Sequence, residues 1–169
     1  MEAFHDFLIS GLVMNMDLLE VNEEHYCLHV GDVGVNANIV KSYEEDPNRG
    51  MITYAKYFLE ELKNIEKFTS ALITEDGRKE LSSLMLAICN ARKYGTGVLL
   101  NKIGSPFDGK FELVSFKEIN AKSLIKAGLS VCSDEFYDSQ VSEVIQVEKA
   151  KIEFEEERLL QLDGEVIGM

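Results

Sequence analysis

The chain has 169 residues, 46% of them apolar and 28% charged, with a formal net charge of −13. Those proportions describe one globular domain that buries most of the surface its unfolded chain exposes, with no need of disulfides or metals to fold. The acidic balance excludes nucleic-acid binding through phosphate contacts and disfavours tight docking on anionic lipid.

Cys27, Cys89 and Cys132 are odd in number, far apart and set in apolar surroundings. That predicts buried thiols in a reducing compartment, the cytoplasm. The first residues carry acids and no basic stretch, so no secretory leader is expected. No apolar run approaches the roughly 20 residues that span a bilayer.

Phe4, Phe7, Leu8 and Leu12 share one helical face and predict a short helix over 2–13. Met14 to Val21 reads as a strand containing Asp17. A turn follows at Asn22-Glu23-Glu24, then a second strand from His25 to Val30. Gly31 to Asn38 is punctuated by glycines but fits neither the dinucleotide fingerprint nor the Walker A pattern. It predicts a bulge or tight turn with closely packed backbone. The clearest helix is expected over 47–66, with Met51, Tyr54, Ala55, Phe58, Leu62 and Ile65 on one face. Aromatics at that spacing serve a core more often than a cleft.

Beyond this helix the period becomes two. Phe68 to Thr74 predicts a strand, Glu75-Asp76-Gly77 a hairpin turn, and Lys79 to Asn90 the return. Leu84 to Cys89 is continuously apolar, the mark of a strand buried on both faces. It runs into a polar, glycine-bearing loop, Asn90 to Gly97, a suitable place for a site. Val98-Leu99-Leu100 and Phe111 to Phe116 are further strands, with a turn at Gly104 to Lys110 between them. An Asp-Gly turn can chelate a hard cation such as Mg²⁺ or Ca²⁺, although an ordinary hairpin is the commoner use. A helix over 117–129, an irregular stretch over 130–140 and a pair of strands at Val141 to Val147 and Lys149 to Phe154 complete the middle of the chain.

The last run is Leu159 to Glu165. Leu160 and Leu162 alternate around Gln161, and Asp163-Gly164 supplies turn chemistry. Strand alternation would place Asp163 and Glu165 on one face, about 7 Å apart. One carboxylate can then accept a proton while the other orients it. An isolated Asp-Gly-Glu is more often a solvated turn.

Several signatures follow one another in a fixed order. They are Gly31-x-x-Gly34, a Tyr-rich helix, Asp76-Gly77, Ile88-Cys89-Asn90-Ala91-Arg92-Lys93-Tyr94-Gly95-Thr96-Gly97, Asp108-Gly109-Lys110-Phe111-Glu112-Leu113 and Leu162-Asp163-Gly164-Glu165. Together they resemble the C-terminal domain of the diacylglycerol kinase and sphingosine kinase superfamily, nearest to its bacterial soluble lipid kinases. The resemblance covers nearly the whole chain. It implies a mainly β fold with a few helices: a β-sandwich, the C-terminal domain of an NAD kinase/diacylglycerol kinase-like two-domain architecture. Residues 1–169 would be that single domain, with residue 1 near the domain junction. The Gly-Gly-Asp-Gly-Thr loop that binds ATP in the family is absent from this sequence and is expected on an N-terminal domain, so this chain alone is expected to be inactive.

The resemblance also implies roles. Glu165 would be the general base, and Asp163 would orient it or neighbouring groups. The Asp108 side chain and the backbone carbonyls of Ser105 and Lys110 would hold a structural Mg²⁺. Asn90, Tyr94 and Gly95 would border the substrate cleft. The expected partners are a lipid carrying the acceptor hydroxyl, ATP and, transiently, the membrane surface, with peripheral attachment during turnover. An edge strand offers a homodimer contact. Two other readings stand beside this one: a stand-alone β-sandwich that binds a lipid or a partner protein without catalysis, and kinship with NAD kinases.

Overall fold

The computed structural model describes residues 11, 14–34, 37–39, 41–42, 47–48, 57, 60, 66–92, 101–117 and 141–168. Within them the period-two stretches form eleven strands: β1 (Leu19–Val21), β2 (His25–Cys27), β3 (Val30–Gly34), β4 (Phe68–Thr74), β5 (Gly77–Ser83), β6 (Met85–Cys89), β7 (Phe111–Phe116), β8 (Val141–Val147), β9 (Lys151–Phe154), β10 (Leu160–Leu162) and β11 (Glu165–Gly168). Six of them make an antiparallel sheet in the order β11-β10-β3-β6-β7-β8. Three make a second antiparallel sheet, β5-β4-β9, and β1-β2 is a two-stranded ribbon.

Strand β6 shows why the larger sheet is central. Its five residues are all buried, as the unbroken apolar run predicts. Leu86 and Ile88 enter one cluster with Val33, Leu113 and Leu162, which meets Phe68, Leu72 and Leu81 of the second sheet. Met85, Ala87 and Cys89 face the other way, toward Val30, Val114, Phe116 and Ile39. Residues 37–39, 41–42, 57 and 60 are helical, so Ile39 and Tyr57 cover this second face from helical backbone. Each fully buried Leu or Ile contributes about 1.5–3 kcal/mol of transfer free energy. The expected mainly β sandwich with a few helices is the observed architecture.

Several boundaries differ from the sequence reading. The strand expected from Met14 begins only at Leu19, because Asp17 spends its backbone and carboxylate on a distant turn. The strand expected over His25 to Val30 breaks at Leu28-His29, and its two parts join different sheets. The stretch expected as a bulge or tight turn at Gly31 is instead interior strand β3. The return expected from Lys79 to Asn90 divides at Leu84, whose N–H donates to the Phe116 carbonyl at 2.8 Å. Strands β8 and β9 are neighbours in sequence but pair with β7 and β4. The helices expected over 2–13 and 117–129, strand 98–100, irregular stretch 130–140 and most of the 47–66 helix lie outside the described residues.

The close backbone packing expected around Gly31 is present. A Cβ there would lie 2.5 Å from Leu162 Cδ2 and 2.9 Å from the Gln161 carbonyl oxygen. The carbonyl belongs to the adjacent strand, so a rotamer change cannot relieve the contact. Gly31→Ala is therefore expected to separate β3 from β10 and lower stability by about 1–3 kcal/mol, read as a shift in the urea midpoint.

Candidate functional site

Strands β10 and β11 are joined by a two-residue hairpin. Leu162 pairs with Glu165, which leaves Asp163 and Gly164 as the loop. Both loop residues have positive φ, 53° and 94°, as in the type I′ turn that Asp-Gly favours. Strand alternation therefore does not run through this segment. The expectation that Asp163 and Glu165 share a strand face is corrected: Asp163 sits in the loop and Glu165 opens β11, its side chain exposed.

The Asp163 carboxylate turns toward the corner between β2 and β3. Its Oδ2 accepts the Leu28 N–H at 2.7 Å. Its Oδ1 accepts the N–H groups of His29 at 2.9 Å and Val30 at 3.1 Å, and the Cys27 thiol at 3.4 Å. The Asp163 N–H in turn donates to the Val30 carbonyl at 3.0 Å. Burial works to raise the Asp163 pKa, but the three backbone donors and the thiol outweigh it and hold the carboxyl below its ordinary value. Burial first, and then the Asp163 charge and hydrogen bond, push the Cys27 thiol up to about 12. Burial, followed by the charges of Glu112 and Asp32, raises Cys89 as well. Both are structural thiols, as the sequence suggested.

Asn90 grips the same corner from its carbonyl side. Its Nδ2 donates to the carbonyls of Leu28 and Asp17, both at 2.8 Å, and its N–H donates to the His29 carbonyl at 3.0 Å. The side chain is fully buried. Asn90, expected to border the cleft, is a buried strut of this corner. Tyr94 and Gly95, the other expected rim residues, lie outside the described residues.

Asp17 extends the chain of contacts to the second predicted site. Its N–H donates to the Pro106 carbonyl at 2.8 Å, and its Oδ2 accepts the Gly109 N–H at 2.8 Å. Within that turn Asp108 is exposed, and its Oδ1 accepts the Lys110 N–H at 3.1 Å. The other Asp108 oxygen accepts no hydrogen bond from a described residue. Ser105 and Lys110 are half-buried on either side. Beneath them Glu112, 1% exposed, accepts from Asn101 Nδ2 and, at 2.8 Å, from Gln146 Nε2. The expected base turn and the expected metal turn are thus linked through the Leu28-His29 corner, Asn90 and Asp17.

The described large apolar side chains that remain exposed are Met14, Met16, Leu18, Tyr26, Leu28, Ile103 and Phe107. They fall on two segments, 14–28 and 103–107, which the Asp17–Pro106 bond holds together. Leu28 is also the residue whose amide Asp163 binds. An apolar surface therefore adjoins the carboxylate-bearing turn. Sequence reasoning missed Asp17 as a link, and it missed Gln161 entirely. At 1% exposed, Gln161 lies under the turn, where strand alternation made it a solvent-facing position.

A six-stranded and a three-stranded antiparallel sheet packed through a shared apolar cluster define the class, a β-sandwich domain. The family model for the YegS C-terminal NAD kinase beta sandwich-like domain matches residues 30–169, and the chain belongs to that family. Among solved structures it is similar to three chains of Bacillus anthracis str. Sterne. One, described as a candidate diacylglycerol kinase, is 18% identical with a TM-score of 0.64 over 94% of this chain and 52% of that one. A second, described as a diacylglycerol kinase, is 14% identical with a TM-score of 0.61 over 95% and 50%. A third, described as a candidate diacylglycerol kinase, is 17% identical with a TM-score of 0.62 over 96% and 54%. At these identities the likeness is one of fold, and the chain spans about half the length of these relatives. No curated protein matches the chain.

Proposed function

We propose that this chain is the acceptor-side half of a lipid kinase, in which Glu165 serves as general base toward a lipid hydroxyl. The observation that carries the reading is the exposed apolar surface beside the Asp163–Glu165 turn, which suits an acyl chain next to a proton acceptor. The fold-level likeness to chains described as diacylglycerol kinases supports it. The remainder of the protein would bind ATP. Glu165 accepts the hydroxyl proton as the bond from the acceptor oxygen to the γ-phosphorus forms. The bond from that phosphorus to the β,γ-bridging oxygen breaks, and ADP departs. Brief contact with a membrane surface follows from an apolar acceptor. Among the described residues no helix is long and apolar enough to cross a membrane. Purified intact protein with ATP should label a diacylglycerol or a sphingoid base with phosphate. Transfer to NAD⁺ alone, with no organic-extractable product, overturns the reading.

The residues of the second turn fit a hard divalent cation. The donors are all oxygen, and Asp108 keeps one carboxylate oxygen clear of described donors. Asp108, with the carbonyls of Ser105 and Lys110, would hold Mg²⁺, which would supply charge that locks the turn. Millimolar Mg²⁺ is expected to raise the thermal midpoint of the chain by about 2–4 °C. Asp108→Asn is expected to abolish the rise.

A further inference from the structure

We propose that Gln161 is a positioning residue of this site. It acts through the Gly164 amide to hold the turn that presents Glu165, and the proposal rests on the reading of Glu165 as the base.

The argument begins with burial. Gln161 is the middle residue of β10, paired across the sheet with Asp32. Near it the same face carries Val30 on the adjacent strand β3 and Ala87 on β6, the strand beyond. A leucine would fill such a position without any polar demand. A buried amide is tolerated there only when both ends are bonded. Gln161 meets that condition in two directions. Its Nε2 donates to Asp32 Oδ2, and its Oε1 accepts the Gly164 N–H at 2.8 Å.

The second bond is the informative one. In a two-residue hairpin the ladder closes at the flanking pair, here Leu162 with Glu165. The loop amides are left outside that ladder. Asp163 N–H finds the Val30 carbonyl, and Gly164 N–H finds only the side chain of Gln161 among the described acceptors. The loop is thereby held at both residues. Asp163 ties it outward to the Leu28–Val30 corner, and Gln161 ties it downward to the buried Asp32. With Gly164 fixed, the Cα of Glu165 is fixed as well, and only its side-chain torsions remain free. A displacement of about 1 Å in such a group costs on the order of 10²-fold in rate. Gln161 itself is buried and does not touch the acceptor, so its effect passes through the turn.

The test has two readouts. In the native chain the Gly164 amide should exchange with solvent at least about 100-fold more slowly than an unstructured amide, although the glycine lies in an exposed loop. Gln161→Leu should bring that rate to within about 3-fold of the unstructured value, while the Ile88 and Leu113 amides keep their protection. In the intact protein Gln161→Leu should lower kcat by about 10–100-fold with the KM for ATP unchanged. Unprotected Gly164 in the native chain overturns the proposal, and this measurement decides the matter if the variant does not fold. A folded variant with lost protection and full kcat also overturns it. Retained turnover in Glu165→Gln would instead remove the base assignment, a result that the Gly164 exchange rate does not affect.

Discussion

Glu165→Gln in the intact protein is expected to lower kcat for phosphoryl transfer to the lipid by about 10²–10⁴-fold, the contribution typical of a positioned general base. The substitution keeps the shape of the side chain and removes only its capacity to accept a proton. The fold gives no reason for a structural penalty. Glu165 is exposed, its backbone belongs to the hairpin ladder, and its carboxylate makes no ion pair with another described residue. The unfolding midpoint should therefore stay where it is. The KM for ATP should also hold, since proton acceptance is realised in the transition state and not in nucleotide binding. Steady-state kinetics with a saturating lipid acceptor separate these quantities. A variant that turns over at the native rate sinks the assignment.

Parts of this site were legible in the sequence and parts were not, for identifiable physical reasons. The β4–β5 hairpin follows from local information: alternation from Phe68 to Thr74 and turn chemistry at Asp76-Gly77. Burial of β6 on both faces follows from its unbroken apolar run. The Asp163-Gly164 turn is equally local. What the sequence could not reveal is what lies across the sheet. Gly31 reads as part of a bulge or tight turn because the backbone that it admits, that of β10, belongs to a partner strand. The corner at Leu28-His29 is bent by a carboxylate 135 residues away in the chain. Gln161 looked solvent-facing because alternation marks one face as polar. The helical residues around Ile39 cover that face. The sequence marked Asn90 as the start of a polar loop, but not its burial or its bonds to the Leu28 and Asp17 carbonyls, which come from distant parts of the chain.

Asp163→Ala carries the largest combined effect, because it strikes stability and turnover through the same atoms. The carboxylate accepts three successive amides and a thiol. A hydrogen bond to a charged group contributes about 1.5–3 kcal/mol when buried. Asp163 is largely exposed, so solvent screening reduces the sum to about 2–4 kcal/mol, a fall of roughly 5–10 °C in the thermal midpoint. The positive φ at this position adds to the cost, since alanine tolerates it less well than aspartate. The pH dependence has a defined sign. The folded-state pKa is depressed, so the stabilisation is fully present above the unfolded value of about 3.9 and is lost as pH falls through the folded value. The difference in stability between native chain and variant should be flat from pH 6 to 8 and shrink below about pH 4. For turnover, kcat should fall with the KM for ATP unchanged, because Asp163 acts on the position of Glu165 and not on the nucleotide. The double variant Asp163→Ala/Glu165→Gln should then be scarcely slower than Glu165→Gln alone. A position cannot matter once the group it positions has lost its chemistry. Two effects that multiply in full would mean that Asp163 contributes to the reaction independently, and its role as an anchor of the turn would have to be abandoned.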